Sequence, residues 1–271
     1  MKTAIHRTPS VILTIAILFV SGLMPTSTDA APVSSVDKVT LLLDEFEGNG
    51  LGTGDSGSIN GGFATLFGDT GGMTFSEDAG NSEAVITSND NSGGFNKTGG
   101  MVSNSAVDTS KIFTVRWETS GANLFGGNGE GHVVGLSAGS GGGFDLEIFV
   151  EGRSLEFRAD GQTILADQDK QDVNIGATVE ATFDSSGFLL TFSSGSDFSG
   201  DWSAHGVNYS NLSDANGMSY ITAGIVDRGG RGPGAPFVEF DSIEVTGLPE
   251  PTSGLLLVVA GLLALRRRSR K

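Results

Sequence analysis

A chain of 271 residues with 42 glycines, no cysteine and a formal net charge of -16 is long enough for one sizeable core and has none of the chemistry of thiols. Disulfides, thiolate metal sites and cysteine nucleophiles are excluded. So acidic a balance also argues against nucleic acid and anionic lipid as partners, since both need patches of Lys and Arg.

The first element in chain order is an export signal. Lys2 and Arg7 form a positive start, residues 11–20 are apolar apart from Thr14, and Thr28-Asp29-Ala30 puts small residues where a signal peptidase reads. Residues 1–30 are therefore expected to be a signal peptide, cut after Ala30 by signal peptidase. An uncleaved membrane helix is the alternative, but the apolar stretch is short for a span and ends at Ser21-Gly22 and Pro25.

Residues 31–249 carry 30 acidic and 9 basic side chains, about -21 net, so the basic tail masks part of the acidity. Short apolar runs are punctuated by glycine pairs with Asn, Asp and Ser, which is the pattern of strands joined by turns. Strands are expected at 39–47, 62–67, 73–77, 84–88, 113–118, 133–137, 144–150, 154–159, 163–166, 178–183, 188–192, 220–226 and 237–246. Period two is clearest where Phe113, Val115 and Trp117 alternate with Thr114, Arg116 and Glu118. Val179, Ala181 and Phe183 alternate in the same way, and after a turn Phe188, Leu190 and Phe192 complete a hairpin. No amphipathic helix of three turns is evident between the termini. The expected fold is all-β, an antiparallel β-sandwich or jelly roll filling one domain over 31–247.

The segments LLLDEFEG, FTVRWETS, FDLEIFVEGRSLEFRADGQTI, ATVEATFDSSGFLLTFSS and FVEFDSIEVTG together resemble, in pattern, the concanavalin A-like lectin and glucanase sandwich, also called laminin-G-like. Sugar binders, glycosidases and purely structural modules share that fold, so the resemblance implies an architecture and leaves function to the site. An enzyme of this family would be a retaining β-glucanase with a Glu-x-Asp-x-x-Glu signature. Glu239, Asp241 and Glu244 match the spacing, with two glutamates as nucleophile and acid/base and the aspartate tuning them. A bulge is also required, because Phe240 and Ile243 cannot both face a core at odd spacing in a regular strand. Ser242 in place of an apolar residue, a position in the final strand and few nearby aromatics weigh against catalysis.

Calcium is the cofactor to expect, if any, since hard oxygen ligands are plentiful. Asp44 and Glu47 from the first strand and Asp241 from the last are the expected ligands, clipping the two together. For a glycan, Trp202 and Tyr209 lie in a loop-like stretch where an aromatic face could stack on a sugar, although plugging the end of the sandwich would use them equally well. Trp117 is in phase with the core. His6, His132 and His205 are too scattered for a metal site or a catalytic triad. The glycine-rich segments 126–131 and 229–234 lack the Lys-Ser/Thr ending of a phosphate loop.

The last element is a tail in three parts. Pro249-Glu250-Pro251 is followed by an apolar run that begins at Gly254 and ends at Leu265, and then by Arg266, Arg267, Arg268, Arg270 and Lys271. Residues 252–265 reach roughly 21 Å as a helix, short of a bilayer core of about 30 Å. Such a helix spans only with thinning or snorkelling, which suits a provisional anchor, with the basic cluster cytoplasmic and the body outside. Residues 248–271 resemble the sorting segment of PEP-CTERM proteins of Gram-negative bacteria. The resemblance implies an exosortase as processing partner, transient membrane anchoring, and delivery to the cell surface or extracellular matrix. Leu248 stands where Val is commoner. The expected function is thus non-catalytic, a surface or matrix protein with extracellular polysaccharide as its ligand class. A glycan-cleaving enzyme and a ligand-free structural module are the alternatives.

Overall fold

The structure is a computed structural model, and it describes residues 38–46, 62–68, 72–78, 82–88, 97–123, 130–151, 154–169, 178–193, 197–227 and 237–248. The strands in these residues are β1 (Val39–Asp44), β2 (Phe63–Gly68), β3 (Met73–Asp78), β4 (Glu83–Ser88), β5 (Lys97–Asp108), β6 (Phe113–Asn123), β7 (Glu130–Ser137) and β8 (Leu146–Glu151). There follow β9 (Ser154–Ala159), β10 (Gln162–Asp169), β11 (Thr178–Phe183), β12 (Gly187–Phe192), β13 (Asp197–Asp201), β14 (Met218–Asp227) and β15 (Phe237–Gly247). Two 3-10 turns, Trp202–His205 and Tyr209–Leu212, join β13 to β14. The signal peptide and the sorting tail lie outside the described residues.

The first sheet runs β13-β12-β11-β6-β15-β4-β3, with β1 also beside β15, and the second runs β10-β9-β8-β7-β14-β5-β2. Every pairing is antiparallel. The protein is therefore the all-β, two-sheet antiparallel sandwich that the alternation implies. Inward side chains of the first sheet, among them Phe113, Val115, Trp117, Val179, Phe183, Leu190 and Phe240, belong to one buried cluster with Val134, Leu136, Ile148, Leu155 and Phe157 of the second. Removing one large side chain from such a core costs about 3–5 kcal/mol.

On β15, Val238, Phe240, Ile243 and Val245 are all buried. The odd spacing between Phe240 and Ile243 is absorbed where the register with β6 shifts between Phe240 and Ser242, leaving Asp241 as the extra residue of a bulge. The expected first strand ends earlier than residue 47. Phe46 takes a left-handed conformation with φ of 49°, and the Asp44 carboxylate turns the chain there by accepting its N–H at 3.0 Å.

Two strands have no counterpart in the sequence reading. β5 contains Gly99-Gly100 and a Ser-Asn run that read as a turn, but at Gly100 the absence of a side chain has a packing reason. A Cβ there would collide with the Ala223 carbonyl of β14. β13, Asp-Phe-Ser-Gly-Asp, pairs with β12 at the sheet's edge and keeps only Phe198 and Gly200 half-buried, so no apolar rhythm marks it.

The two sheets are also joined by a polar contact. Trp117 Nε1 on β6 donates to His132 Nε2 on β7 at 3.4 Å, and the imidazole stands edge-on to Phe240 at 6.0 Å. Burial pushes the His132 pKa down to about 4, so it is a neutral acceptor at physiological pH.

Candidate functional site

On the outer face of the first sheet, the bulge brings Glu239, Asp241 and Glu244 out of the core together, each half-buried. Glu244 stands opposite Arg116 of β6, and Arg116 stands opposite Glu180 of β11. The Arg116 guanidinium lies 3.2 Å from Glu118 Oε2 and 3.8 Å from Glu180 Oε1, while Glu244 accepts a hydrogen bond from Thr40 Oγ1 at 3.2 Å. Cross-strand partners of Glu239 are Gly121 and Val85, and those of Glu244 are Arg116 and Leu43. None of these four directly opposed neighbours is aromatic, and among the described residues of β15 Phe237 shares the outward phase with Glu239.

Asp44 faces the opposite way, inward. Its Oδ1 accepts the Phe46 N–H and its Oδ2 accepts the Phe63 N–H at 2.8 Å, fastening the end of β1 to the start of β2. A Cβ on Gly62 would overlap Oδ2, which explains a glycine there with φ of 55°. A carboxylate held by two backbone donors is a chain clip, and Asp241 lies on the outward-facing side of β15. Glu47 is outside the described residues, and among the described residues no three His, Asp or Glu side chains are grouped to hold a metal ion. Of the donors expected for calcium, Asp44 and Asp241 lie on opposite faces of the first sheet.

Trp202 and Tyr209 face inward. The Trp202 ring is 2% exposed, packs on Phe188 at 4.9 Å and on Phe183 at 6.1 Å, and donates its indole N–H to the Asp184 carbonyl at 2.8 Å. Tyr209 stacks on it at 5.4 Å and donates its hydroxyl to the Thr109 carbonyl at 3.0 Å, and burial raises the Tyr209 pKa. The pair closes the end of the sandwich instead of presenting an open platform. Beside it, Asp184, Ser186, Leu189, Ser199 and Asp201 line a cleft of about 310 Å³. The Asp184 carboxylate is occupied there, capping the β11–β12 turn: burial works to raise its pKa, but the Ser186 hydroxyl and the N–H groups of Ser186 and Gly187, all bonded to it, hold it low.

A second group assembles on the outer face of the second sheet. Register places Thr222, Gly135, Glu147, Arg158 and Thr163 in one row across β14, β7, β8, β9 and β10. Arg158 Nη1 lies 3.4 Å from Glu147 Oε1, and Nη2 is paired with Glu156 Oε1. The side chains of Glu147 and Glu156 are only 20% and 11% exposed, whereas Arg158 is 41% exposed. Phe144, Asp145, Glu147, Arg158 and Thr163 line a cleft of about 280 Å³. Its floor adjoins a small buried patch of Val133, Phe149 and Val226, separate from the main core, against which Phe144 packs. Phe144 is braced edge-to-face by Phe67 at 5.3 Å. This cleft combines an aromatic rim, hydrogen-bond acceptors and a half-exposed cation, the kit of a saccharide site. Its residues were not singled out from the sequence. The signal was present in FDLEIFVEGRSLEFR, where Glu147, Glu156 and Arg158 occupy the outward phase of neighbouring strands.

No family model matches the chain, and no curated protein does. Solved structures do. A glycosyl hydrolase family 16 protein from Mycobacterium smegmatis is similar at 12% identity and a TM-score of 0.49, over 76% of this chain and 100% of that one. SCLam, a non-specific endo-beta-1,3(4)-glucanase from family GH16, is 12% identical with a TM-score of 0.47, over 79% and 92%. The family 7 alginate lyase A1-II' is 11% identical with a TM-score of 0.45, over 63% and 82%. The expectation of a protein that is no enzyme is corrected here, because glycosyl hydrolases and a lyase are among the solved structures similar to this sandwich. At these identities the likeness concerns the fold, and no reaction or residue role is carried across.

Proposed function

We propose that the protein is an exported, glycan-recognising sandwich whose sugar site is the Arg158 cleft. The observation that carries this reading is one guanidinium held between Glu147 and Glu156 with the Phe144 ring at the rim. Export is supported by the composition of residues 1–30. Transit on a membrane anchor and processing by an exosortase, with delivery to the surface or matrix, are supported by Pro249-Glu250-Pro251, the apolar run and the terminal arginines. Calorimetric titration of the purified protein with a panel of soluble glycans tests the site. Saturable binding that weakens at least about tenfold in Arg158→Ala, about 1.4 kcal/mol, is the expected result. A wild-type protein that binds no member of the panel sinks the reading. Reducing ends released during the same incubation report cleavage of the bound glycan.

A second reading, hydrolysis through Glu239, Asp241 and Glu244, is favoured by the bulge that turns all three to one face. It requires release of reducing ends by the wild type and its loss in Glu239→Gln and Glu244→Gln. For the tail, deletion of residues 248–271 should leave a folded protein that is no longer retained at the membrane. Failure of the truncated chain to fold would instead make the apolar run part of the core.

A further inference from the structure

Resting on the glycan reading above, we infer that the Arg158 cleft takes uncharged saccharides and excludes polyanionic ones. Recognition of a uronate or sulfate draws on a free guanidinium fork, which offers two parallel N–H donors to the anion. Each terminal nitrogen of Arg158 already spends one of its two N–H groups on a carboxylate, Nη1 on Glu147 and Nη2 on Glu156, so an incoming anion finds the fork partly used and its charge paired. Its remaining Nε is buried without a partner, so it faces protein and not the cleft mouth. The charge balance points the same way. Asp145 and Glu147 line the cleft with Arg158, and Glu156 pairs with it, so three carboxylates surround one cation. Asp160, between Ala159 and Gly161 of the lining, bonds its backbone N–H to the Asp145 carbonyl at 2.8 Å. Its own carboxylate is fixed by the Asn211 side chain at 2.9 Å and the Asn208 N–H at 3.0 Å, bonds that hold its pKa below the usual range.

An arriving anion would therefore meet a cation already neutralised and an excess of negative charge. Sugar hydroxyls meet the opposite situation, because carboxylates accept from O–H donors and the Phe144 ring offers an apolar contact for the C–H face of a sugar. Selectivity of this origin is electrostatic and must respond to salt and to the removal of a single charge, whereas selectivity by shape would respond to neither.

The full chain is titrated with uncharged gluco-, manno- and galacto-oligosaccharides and with polyuronate oligosaccharides of the same length. At about 0.01 M ionic strength an uncharged series should bind at least about tenfold tighter than the polyuronate. At about 1 M, where the screening length falls from about 30 Å to about 3 Å, the gap should narrow severalfold. Glu147→Gln, which removes one charge with little change of shape, should narrow it at low salt as well. Polyuronate binding equal to or tighter than the uncharged series at low salt overturns the inference. A gap that neither salt nor Glu147→Gln moves overturns it too, by making shape the discriminator. Binding of no saccharide of either class overturns the cleft reading itself, and the selectivity falls with it.

Discussion

Arg116 and Arg158 are placed alike and surrounded differently. Each sits on the outer face of its sheet, pairs with a glutamate two residues away on its own strand, and reaches a second glutamate on a neighbouring strand. Around Arg116 the carboxylates are 38% and 45% exposed, and the ladder is open to water. Around Arg158 they are 11% and 20% exposed, sunk beside the Val133, Phe149 and Val226 patch. The same three charges are thus a solvated surface in one place and a partly desolvated cluster in the other. Desolvation, and not the count of ion pairs, decides which arrangement matters.

The comparison can be sharpened against the core, where effects are largest. Trp202→Ala should cost about 3–5 kcal/mol in chemical unfolding, because it empties a pocket shared with Phe183, Phe188 and Tyr209 and orphans the Asp184 carbonyl. A cost below about 1 kcal/mol would mean that the end of the sandwich is not packed as described.

Acid is the next largest lever. His132 is protonated near 6.5 when unfolded and only near 4 when folded, so between those values the unfolded state binds the additional proton. Stability is full above about pH 6.5 and falls as pH drops toward 4, by roughly 3 kcal/mol at about 1.4 kcal/mol per unit. Carboxylates held low by hydrogen bonds, such as Asp108 and Asp214, lose their contribution only below about pH 4. His132→Gln keeps an acceptor for the Trp117 indole and should flatten the curve above pH 4. An unchanged curve in that variant would remove His132 as its cause.

Between the two faces, Arg158→Leu should cost more than Arg116→Leu, by about 1 kcal/mol or more, because it removes the cation from beside two poorly exposed carboxylates, while Arg116→Leu should cost less than about 1 kcal/mol. Equal costs would break the comparison. Smallest of all, raising salt should change the contribution of the Arg116 ladder by no more than a few tenths of a kcal/mol, read as a double-mutant cycle with Glu180.

The architecture was legible because burial imposes a rhythm. Phe113, Val115 and Trp117 announce β6, and the clash of spacing at Phe240 and Ile243 announces a bulge. Strands without that rhythm were hidden: β5 because Gly100 is required by a neighbouring backbone, β13 because it lies at an edge. The site was harder to read. Asp44 has the composition of a metal ligand, yet it is spent on two backbone N–H groups that only the turn at Phe46 brings to it. Trp202 looks like a platform until 3-10 geometry folds it under Tyr209. Arg158, Glu147 and Glu156 are ordinary charges in one dimension, and the register of β8 against β9 makes them a group.

At the far edge of the first sheet, β13 ends the described strand order with Asp197, Ser199 and Asp201 facing water along an exposed strand. If a second molecule docked its β13 there antiparallel and in register, each Asp197 would stand against the other's Asp201. Like charges directly opposite oppose such pairing. The edge thus carries its own guard against ribbon-like self-assembly, which would keep copies separate when the protein is crowded.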